Sequence, residues 1–479
     1  MNRAKSSALP SLNQADIEFT KKSMTAFGGV ATILALFLEK IGFREWVERG
    51  IPIVETSPNS KGIYGKVLAL FLTILAGGRR FAHFIACGSG VEVNKAAFGV
   101  EWLPGSSSVI TRFFNKVFDQ KIAEAFGDAV RTFARQVVEW MGKTEGNLNF
   151  DSSVVTRYGE QEGAKKGYNP QKPGRPSHHP LIAFLGAGFV VNIWNRPGNT
   201  HASNGIIDFF CQTFDNLAEN FTLKRVLCDS GFYQIEFISF LEAFCFKYII
   251  AVRMDRRLQR YIFSLKAWKP VTDGIDVCEF YYQPMAEGWN RPRCYVAVRQ
   301  SKKVRQKATG KQLSLFEELD PKHEYRYGLF TTNDESLSAV EVWREYRPRA
   351  SDENVIKTLK HDWGIDAYCL QSFWATEAVM SMIALVFYNI IHYLNITTIA
   401  PNGPEPRLGT LRRTLLILPA ILGTSGRRAV IRIAVSERKI RSRLTYLLHQ
   451  IARISEQLKC IAIEVKERPK TPICTPATA

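Results

Sequence analysis

The stretch Glu345-Tyr-Arg-Pro-Arg-Ala-Ser-Asp-Glu-Asn-Val-Ile-Lys-Thr-Leu-Lys360 decides how the rest of the chain is interpreted. On a helix with 3.6 residues per turn, Arg349, Glu353 and Lys360 fall on one side, within roughly 40° of each other. The opposite side is apolar, with Val355, Ile356, Leu359 and Trp363. The pattern predicts an amphipathic helix that packs on a core and holds its acid toward solvent or a ligand. A carboxylate between two cations suits a site for a metal ion and a phosphate.

The same spacing also fits a solvated helix face on which Glu and Lys form weak pairs, and this is the commoner outcome. Pro348 adds a constraint, because proline is tolerated only in the first turn of a helix. We therefore expect Tyr346 at the N-cap or before it.

Four residues of this stretch resemble, in identity and spacing, a motif of a known protein family. Tyr346, Arg349, Glu353 and Lys360 resemble the Tyr-Arg-Glu-Lys signature of bacterial insertion-sequence transposases. The segments Tyr158-Gly-Glu-Gln-Glu-Gly163, Gly167-Tyr-Asn-Pro170 and Ser177-His-His-Pro-Leu181 resemble the insertion-sequence group numbered thirteen-eighty. In that family the glutamate is the third acid of a DDE triad, so the resemblance implies two aspartates upstream.

Two upstream segments supply candidate aspartates. Leu148-Asn-Phe-Asp-Ser-Ser-Val-Val-Thr-Arg157 alternates apolar and polar residues, which predicts a strand buried on one face with Asp151 partway along it. The resembling proteins often carry a further Asp where this chain has Asn149. A short apolar strand is predicted to end at Asp229, where an Asx-turn is the ordinary alternative. Asp229-Ser-Gly-Phe232 resembles the second-acid motif, so we expect Asp151, Asp229 and Glu353 to be the catalytic residues and metal ligands.

The order of predicted elements indicates an α/β fold. Alternating strands and helices predict a ribonuclease-H-like mixed-sheet core at residues 146–254 and 333–400, separated by a β-rich insertion at 255–332. Helical patterns flank this core, as a DNA-end-binding domain at residues 24–145 and a basic C-terminal region at 401–468. We expect a flexible N-terminus at residues 1–23 and a disordered tail at 469–479.

The charge of the chain predicts a polyanionic partner. The 63 Lys and Arg against 45 Asp and Glu give a formal net charge of +18, and the basic residues are spread through segments that look folded. This favours nucleic acid over an anionic membrane. Arg112 and Lys116 lie on a serine-capped helix that is either half of a helix-turn-helix or an ordinary helix. Trp289 is a candidate to stack on an extruded base, although a core or edge aromatic is commoner.

The cysteine content and the hydropathy of the chain indicate the cellular compartment in which we expect the protein. The nine cysteines are odd in number and include no Cys-x-x-Cys pair, which favours a reducing compartment over a zinc module. The apolar stretch from Ala378 to Leu394 contains Asn389 and His392, so a buried helix is favoured over a membrane span. We expect a cytoplasmic bacterial protein that is nucleoid-associated when bound to DNA.

The residues and the resemblance together predict a DDE transposase. It would use two Mg²⁺ ions, with Mn²⁺ as an alternative, to cut insertion-sequence ends and transfer them into target DNA. The expected partners are double-stranded DNA of the terminal inverted repeats and of the target, with a homodimer in the DNA complex and no membrane. Tyr346, Arg349 and Lys360 are expected to hold phosphates. The alternatives are a ribonuclease-H-fold nuclease or resolvase without strand transfer, and a catalytically inactive DNA-binding protein derived from a transposase.

Overall fold

The computed structural model describes residues 20–87, 90–186, 188–302 and 324–454. The predicted C-terminal tail and most of the predicted flexible N-terminus lie outside these ranges.

Helices dominate the part of the chain that precedes the first long strand. After strand β1 (Met24–Thr25), the helices are α1 (Ala35–Lys40), α2 (Phe43–Gly50), α3 (Tyr64–Leu75), α4 (Val91–Phe98), α5 (Ser107–Phe114) and α6 (Gln120–Trp140). Helix α6 begins at Asp119, whose side chain accepts a hydrogen bond of 2.9 Å from the backbone N–H of Ile122. Its apolar stripe packs on the core, as expected for an amphipathic helix.

A large mixed sheet occupies the middle of the chain and confirms the prediction of a mixed α/β fold. Within the described residues it has nine strands: β2 (Glu145–Ser152), β6 (Leu181–Leu185), β7 (Phe189–Trp194), β8 (Thr222–Cys228), β9 (Tyr248–Ala251), β10 (Lys269–Thr272), β11 (Ile275–Tyr282), β12 (Arg293–Ser301) and β13 (Tyr325–Thr332). The strand order is β10-β11-β12-β13-β9-β8-β2-β6-β7. Strand β8 is parallel to both β2 and β9, and all other pairs in this sheet are antiparallel. A separate small sheet contains β3 (Val155–Thr156), β4 (Lys165–Lys166) and β5 (Pro176–His178).

The segment predicted as an insertion, residues 255–332, is rich in strands, and these strands extend the main sheet. Strand β13 pairs with β9, which places the antiparallel strands β10 to β13 beyond one edge of the parallel strands. The described residues of this segment also contain helix α9 (Arg256–Ser264). Sequence patterns alone do not show such continuity, because it depends on pairing between distant strands.

Helices cover the sheet and share its core. They are α7 (Ile206–Asp215), α8 (Ile235–Ala243), α10 (Ala339–Tyr346), α11 (Ala350–His361), α12 (Phe373–Ser381) and α13 (Asn389–Leu394). One contiguous apolar cluster extends from Val30 to Ile451 and includes residues of the N-terminal helices, the sheet and the C-terminal helix. The region preceding the sheet is thus packed on it through a common core.

One helix in the described residues, Phe373–Ile399, is long and apolar enough to cross a membrane. In this structure 94% of its most apolar window is buried inside the protein. Asn389, expected to disfavour a membrane span, has its Nδ2 donating to the backbone oxygen of Val190 at 2.7 Å. The prediction of a buried helix is confirmed.

The C-terminal region departs from the prediction that it is helical. After α14 (Leu408–Leu411), strands β14 (Ala420–Ser425) and β15 (Arg428–Ile433) form a hairpin, and only then does α15 (Arg438–Ala452) begin. Arg428 and Arg432 are exposed on β15, since an alternating strand can present arginines to solvent just as a helix face can. Among the cysteines, Cys211 is disulfide-bonded.

Candidate active site

Two neighbouring parallel strands bring the two candidate aspartates together. Phe150 of β2 is the partner of Cys228 of β8, so Asp151 and Asp229 each come one residue after a matched pair. Asp151 lies near the end of its strand, later than the sequence suggested. Asp229 follows its strand directly, and its Oδ1 accepts a hydrogen bond of 2.9 Å from the backbone N–H of Gly231. Asp229 therefore lies at the exit of a strand and also forms a local turn, the two interpretations that the sequence offers as alternatives.

The third acid, Glu353, is held by a helix that begins after a tight turn. Helix α10 is fixed at its start by a reciprocal capping box between Ser338 and Glu341. A short 3₁₀ segment, Arg347–Arg349, follows with Pro348 in its first turn and Tyr346 as its N-cap, as predicted. Helix α11 then carries Glu353 in its own first turn. The Glu353 carboxylate is half-exposed and lies 3.6 Å from Lys357 Nζ.

Asp151, Asp229 and Glu353 line a single cavity of about 550 Å³. They come from two strand ends and one helix that are far apart in the sequence, and convergence of this kind is what the three-acid prediction requires. Arg349 and Lys360 line the same cavity. Ile356, which the helical wheel placed on the opposite side, also lies on its wall.

A buried guanidinium neutralises part of this negative charge. Arg349 is 5% exposed, and its terminal nitrogen lies 3.2 Å from Asp151 Oδ2 and donates to the backbone oxygen of Phe150 at 3.4 Å. Burial raises the pKa of Asp151 to about 6, the charge of Arg349 opposes this rise, and the charges of Asp229 and Glu353 add to it. The pKa of Asp151 is thus set by burial, by repulsion from the neighbouring acids and by attraction to one cation.

A second buried contact lies beside the cavity and was missed from the sequence. The Asn149 side chain donates to Asp352 Oδ2 at 2.8 Å, and Asp352 is completely buried. Burial raises the pKa of Asp352 to about 7, although Arg349 and the Asn149 hydrogen bond oppose the rise. One signal was available: Asp352 is three residues after Arg349, so the two share a helix face. Asn149, noted only as a departure from the resembling family, is the partner of this acid.

The three residues expected to hold phosphates are engaged with protein atoms in this structure. The Tyr346 hydroxyl donates to the backbone oxygen of Cys228 at 3.0 Å, and Tyr346 is 1% exposed. Lys360 Nζ donates to the backbone oxygen of Val154 at 2.8 Å, and Arg349 is paired with Asp151. A contact of Tyr346, Arg349 or Lys360 with DNA stays a prediction.

The other residues predicted to bind DNA lie outside the cavity lining. Lys116 Nζ is 3.0 Å from Glu55 Oε1, and Arg112 Nε donates to the backbone oxygen of Ser108 on its own helix. Trp289 packs against the Tyr233 ring at 4.9 Å between centroids, and the Arg293 guanidinium lies 5.3 Å from the Trp289 ring centre. Roles in DNA binding for Arg112, Lys116 and Trp289 also stay predictions.

The chemistry of the three acids fits a divalent cation. Carboxylate oxygens are the ligands that Mg²⁺ prefers, and repulsion from Asp229 and Glu353 contributes to the raised pKa of Asp151. Within the described ranges, no three His, Cys, Asp or Glu side chains are already grouped closely enough to hold a metal. Asp151 is paired with Arg349 and Asp229 accepts a hydrogen bond from Gly231, and each carboxylate keeps further lone pairs that could bind an ion.

Comparison with known proteins supplies one strong match. Residues 93–456, well over half of the chain, match the family model described as Transposase DDE domain group 1. A comparison with curated protein sequences found no match. Among solved structures, the chain is similar to a cryo-EM structure of a piggyBac transposase synaptic complex with hairpin DNA. The two are 14% identical, the match covers 96% of this chain and 91% of that one, and the TM-score is 0.41. This structural likeness is too low to support an inference.

Proposed function

The chain belongs to the Transposase DDE domain group 1 family, and we propose that it cuts DNA at the ends of an insertion sequence and joins them to target DNA. In this proposal Asp151, Asp229 and Glu353 form the catalytic site. The observation that carries it is that these three acids line one cavity. The formal charge of +18 supports double-stranded DNA as the substrate.

The proposed core is ribonuclease-H-like. Supporting this, strands β7, β6 and β2 are successive antiparallel neighbours, and β2, β8 and β9 are successive parallel neighbours. This arrangement presents the ends of β2 and β8 side by side, where helix α11 can add a third carboxylate. Residues 24–145 would form the part that binds the element ends, as the flanking helices were predicted to do.

The proposed cofactor is Mg²⁺, held by the carboxylates of Asp151, Asp229 and Glu353. When bound, a pair of such ions supplies activation of an attacking oxygen and stabilisation of a departing one. The chain's own residues position these acids. Arg349 favours the ionised form of Asp151 at the cavity wall, against the effect of burial. Lys360 fixes helix α11 to the backbone that follows β2, because its ammonium donates to the carbonyl of Val154.

A cleavage assay tests the proposal. The substrate is a plasmid that carries the DNA flanking the gene, in which inverted repeats would identify the element ends. We expect Asp151→Asn, Asp229→Asn and Glu353→Gln each to abolish Mg²⁺-dependent cleavage while DNA binding persists. The matched control is Glu236→Gln, because Glu236 is exposed on α8 and does not line the cavity.

A second arm separates transposition from other reactions on the same fold. Precleaved ends are supplied with target DNA, and joined products are expected only with the three acids intact. Cleavage without joining would replace the proposal with a nuclease or resolvase. Binding without cleavage by the unaltered protein would indicate an inactive DNA-binding derivative, and retained cleavage by any one variant would remove that acid from the site.

A further inference from the structure

A basic loop, residues 158–175, lies at the rim of the acid cavity. It connects β3 to β5 of the small sheet and contains β4. Its residue Gln171 lines the cavity together with Ser152 and Ser153, which follow Asp151. The loop is therefore adjacent to the three acids without supplying any of them.

The loop presents cations to solvent. Lys165, Lys166, Lys172 and Arg175 are all exposed. None of the four forms an ion pair with a carboxylate in the part of the chain that the structure describes. Exposed cations on one loop that also contributes Gln171 to the cavity lining produce a positive potential that attracts a polyanion.

Two exposed aromatic rings accompany these cations. Tyr158 and Tyr168 are 73% and 75% exposed. The Arg175 guanidinium lies 5.8 Å from the Tyr158 ring centre, so one face of that ring already accepts a planar cation. Exposed aromatics interleaved with Lys and Arg are typical of surfaces that bind single-stranded nucleic acid, where bases stack on the rings and cations follow the phosphates.

The base of the loop is fixed to the core. Arg157, which is 2% exposed, donates from Nη1 to the backbone oxygen of Asp366 at 2.8 Å. Asn169, 4% exposed, donates to Thr156 Oγ1 at 3.0 Å and accepts from the backbone N–H of Lys172. His178, fully buried, is hydrogen-bonded to the backbone oxygen of Glu162 at 2.9 Å. The exposed cations and rings thus project from an anchored backbone, which reduces the entropy lost when a ligand binds.

We propose that the basic loop binds the DNA strand next to the bond that is cut, through phosphate contacts of Lys165, Lys166, Lys172 and Arg175 and stacking of Tyr158 and Tyr168 on unpaired bases. This inference rests on the proposed function, because it assigns a DNA segment to the rim of the same cavity. It adds residues that neither the signature nor the family match designates.

The phosphate contacts are tested by the salt dependence of binding. The variant carries Lys165→Gln, Lys166→Gln and Lys172→Gln together, and the probe is a short duplex with a single-stranded overhang. Each lost phosphate contact reduces the slope of log K against log salt by about 0.7 to 0.9, so we expect a total reduction of about 2 to 3. The control is Glu160→Gln in the same loop, which removes an exposed negative charge and should tighten binding or leave it unchanged. Equal slopes for the variant and the unaltered protein would overturn the proposal.

Stacking is tested with the two tyrosines. Tyr158→Ala with Tyr168→Ala should weaken binding of the overhang probe at least about fivefold and leave a fully paired duplex nearly unaffected. Replacement of both by Phe should retain binding, since the ring and not the hydroxyl makes the contact. Equal loss on the paired duplex, or loss with Phe, would contradict stacking.

Cleavage distinguishes this proposal from the proposed function. Thermal unfolding first verifies that the loop variants are folded. Loop variants that bind and cut normally, while the three acid variants do not cut, would overturn the loop assignment and leave the catalytic site standing. Preferential binding of an acidic protein or of RNA over the DNA probe would also overturn it.

Discussion

The guanidinium of Arg349 lies 3.2 Å from the carboxylate of Asp151, and both side chains are almost completely buried. A buried charge that loses its partner is costly, because water cannot replace the lost interaction. The pair therefore ties the 3₁₀ turn before α11 to the end of β2. It also places a fixed positive charge beside Asp151 at the wall of the acid cavity.

Removing that guanidinium should destabilise the protein. We expect Arg349→Ala to lower the free energy of unfolding by about 3–5 kcal/mol at pH 8, and by less at pH 5, where Asp151 takes up a proton. Urea unfolding at the two pH values measures this. Added Mg²⁺ should stabilise the variant more than the unaltered protein, because the ion replaces the missing charge. Arg344→Ala, at an exposed position of the preceding helix, is the control and should change stability by less than about 0.5 kcal/mol.

The buried acid Asp352 should make the protein less stable as the pH rises. Its pKa is raised from 3.8 to about 7 in the folded state, so the folded protein binds the proton more tightly than the unfolded chain. Its contribution is present at low pH and is lost between about pH 4 and pH 7. We expect Asp352→Asn to be more stable than the unaltered protein by about 1–3 kcal/mol at pH 8 and equal to it near pH 4. A constant difference across this range would show that Asp352 is ionised throughout.

His178 should have the opposite pH dependence. Burial and the charge of Arg157 together lower its pKa to about 4, although the hydrogen bond to the Glu162 backbone opposes the change. Since Arg157 Nε donates to His178 Nδ1 at 3.1 Å, the ring is held neutral in the folded protein. The unfolded chain takes up a proton below pH 6.5, so stability should fall by about 3 kcal/mol between pH 6.5 and pH 4.

Urea unfolding over that range checks the prediction for His178. The decline should flatten in His178→Gln and persist in His449→Gln, which changes an exposed histidine on α15. An identical decline in both variants would assign the acid sensitivity to other groups.

Substitution of Lys360 can distinguish a structural role of its side chain from a contact with a DNA phosphate. Its ammonium donates to the carbonyl of Val154, and burial lowers its pKa. We expect Lys360→Met to lower the free energy of unfolding by about 1–3 kcal/mol, because the carbonyl loses its donor. If this contact is the whole role of Lys360, the salt slope of DNA binding does not change. A slope reduced by about 0.9 with unchanged stability would instead assign Lys360 to a phosphate. Lys357→Met, one turn earlier and exposed, should alter stability by less than about 1 kcal/mol.

The sequence predicted the elements that carry the three acids, because each has a strong local signal. Strand β8 ends in an apolar run at Cys228, directly before Asp229 and Gly231, and Pro348 marks the turn before α11. The meeting of the acids in one cavity was predicted through the family resemblance. Local periodicity cannot specify which strand ends become neighbours, since this depends on the parallel register of Phe150 with Cys228.

The features that the sequence did not predict depend on contacts between residues on different elements of the fold. Asp352 looks like an ordinary polar residue in a first helical turn, and only the approach of Asn149 from β2 shows that it is buried. The hairpin of β14 and β15 lies in the region predicted to be helical and basic, and the local sequence of that region gives no indication of strand pairing. The extension of the sheet by β10 to β13 was likewise missed, because it depends on the pairing between β13 and β9, which no local sequence pattern shows.

The short strand β1 joins the two ends of the described chain. Met24 and Thr25 pair with Ile421 and Ala420, so the hairpin depends on a segment almost four hundred residues earlier. A shortened protein that starts at residue 93, where the family match begins, would expose an open strand edge and remove Phe37 from its stack with Tyr393. Unpaired edges recruit other chains, so this fragment should aggregate on expression. The family match therefore begins inside the common apolar core and not at its edge.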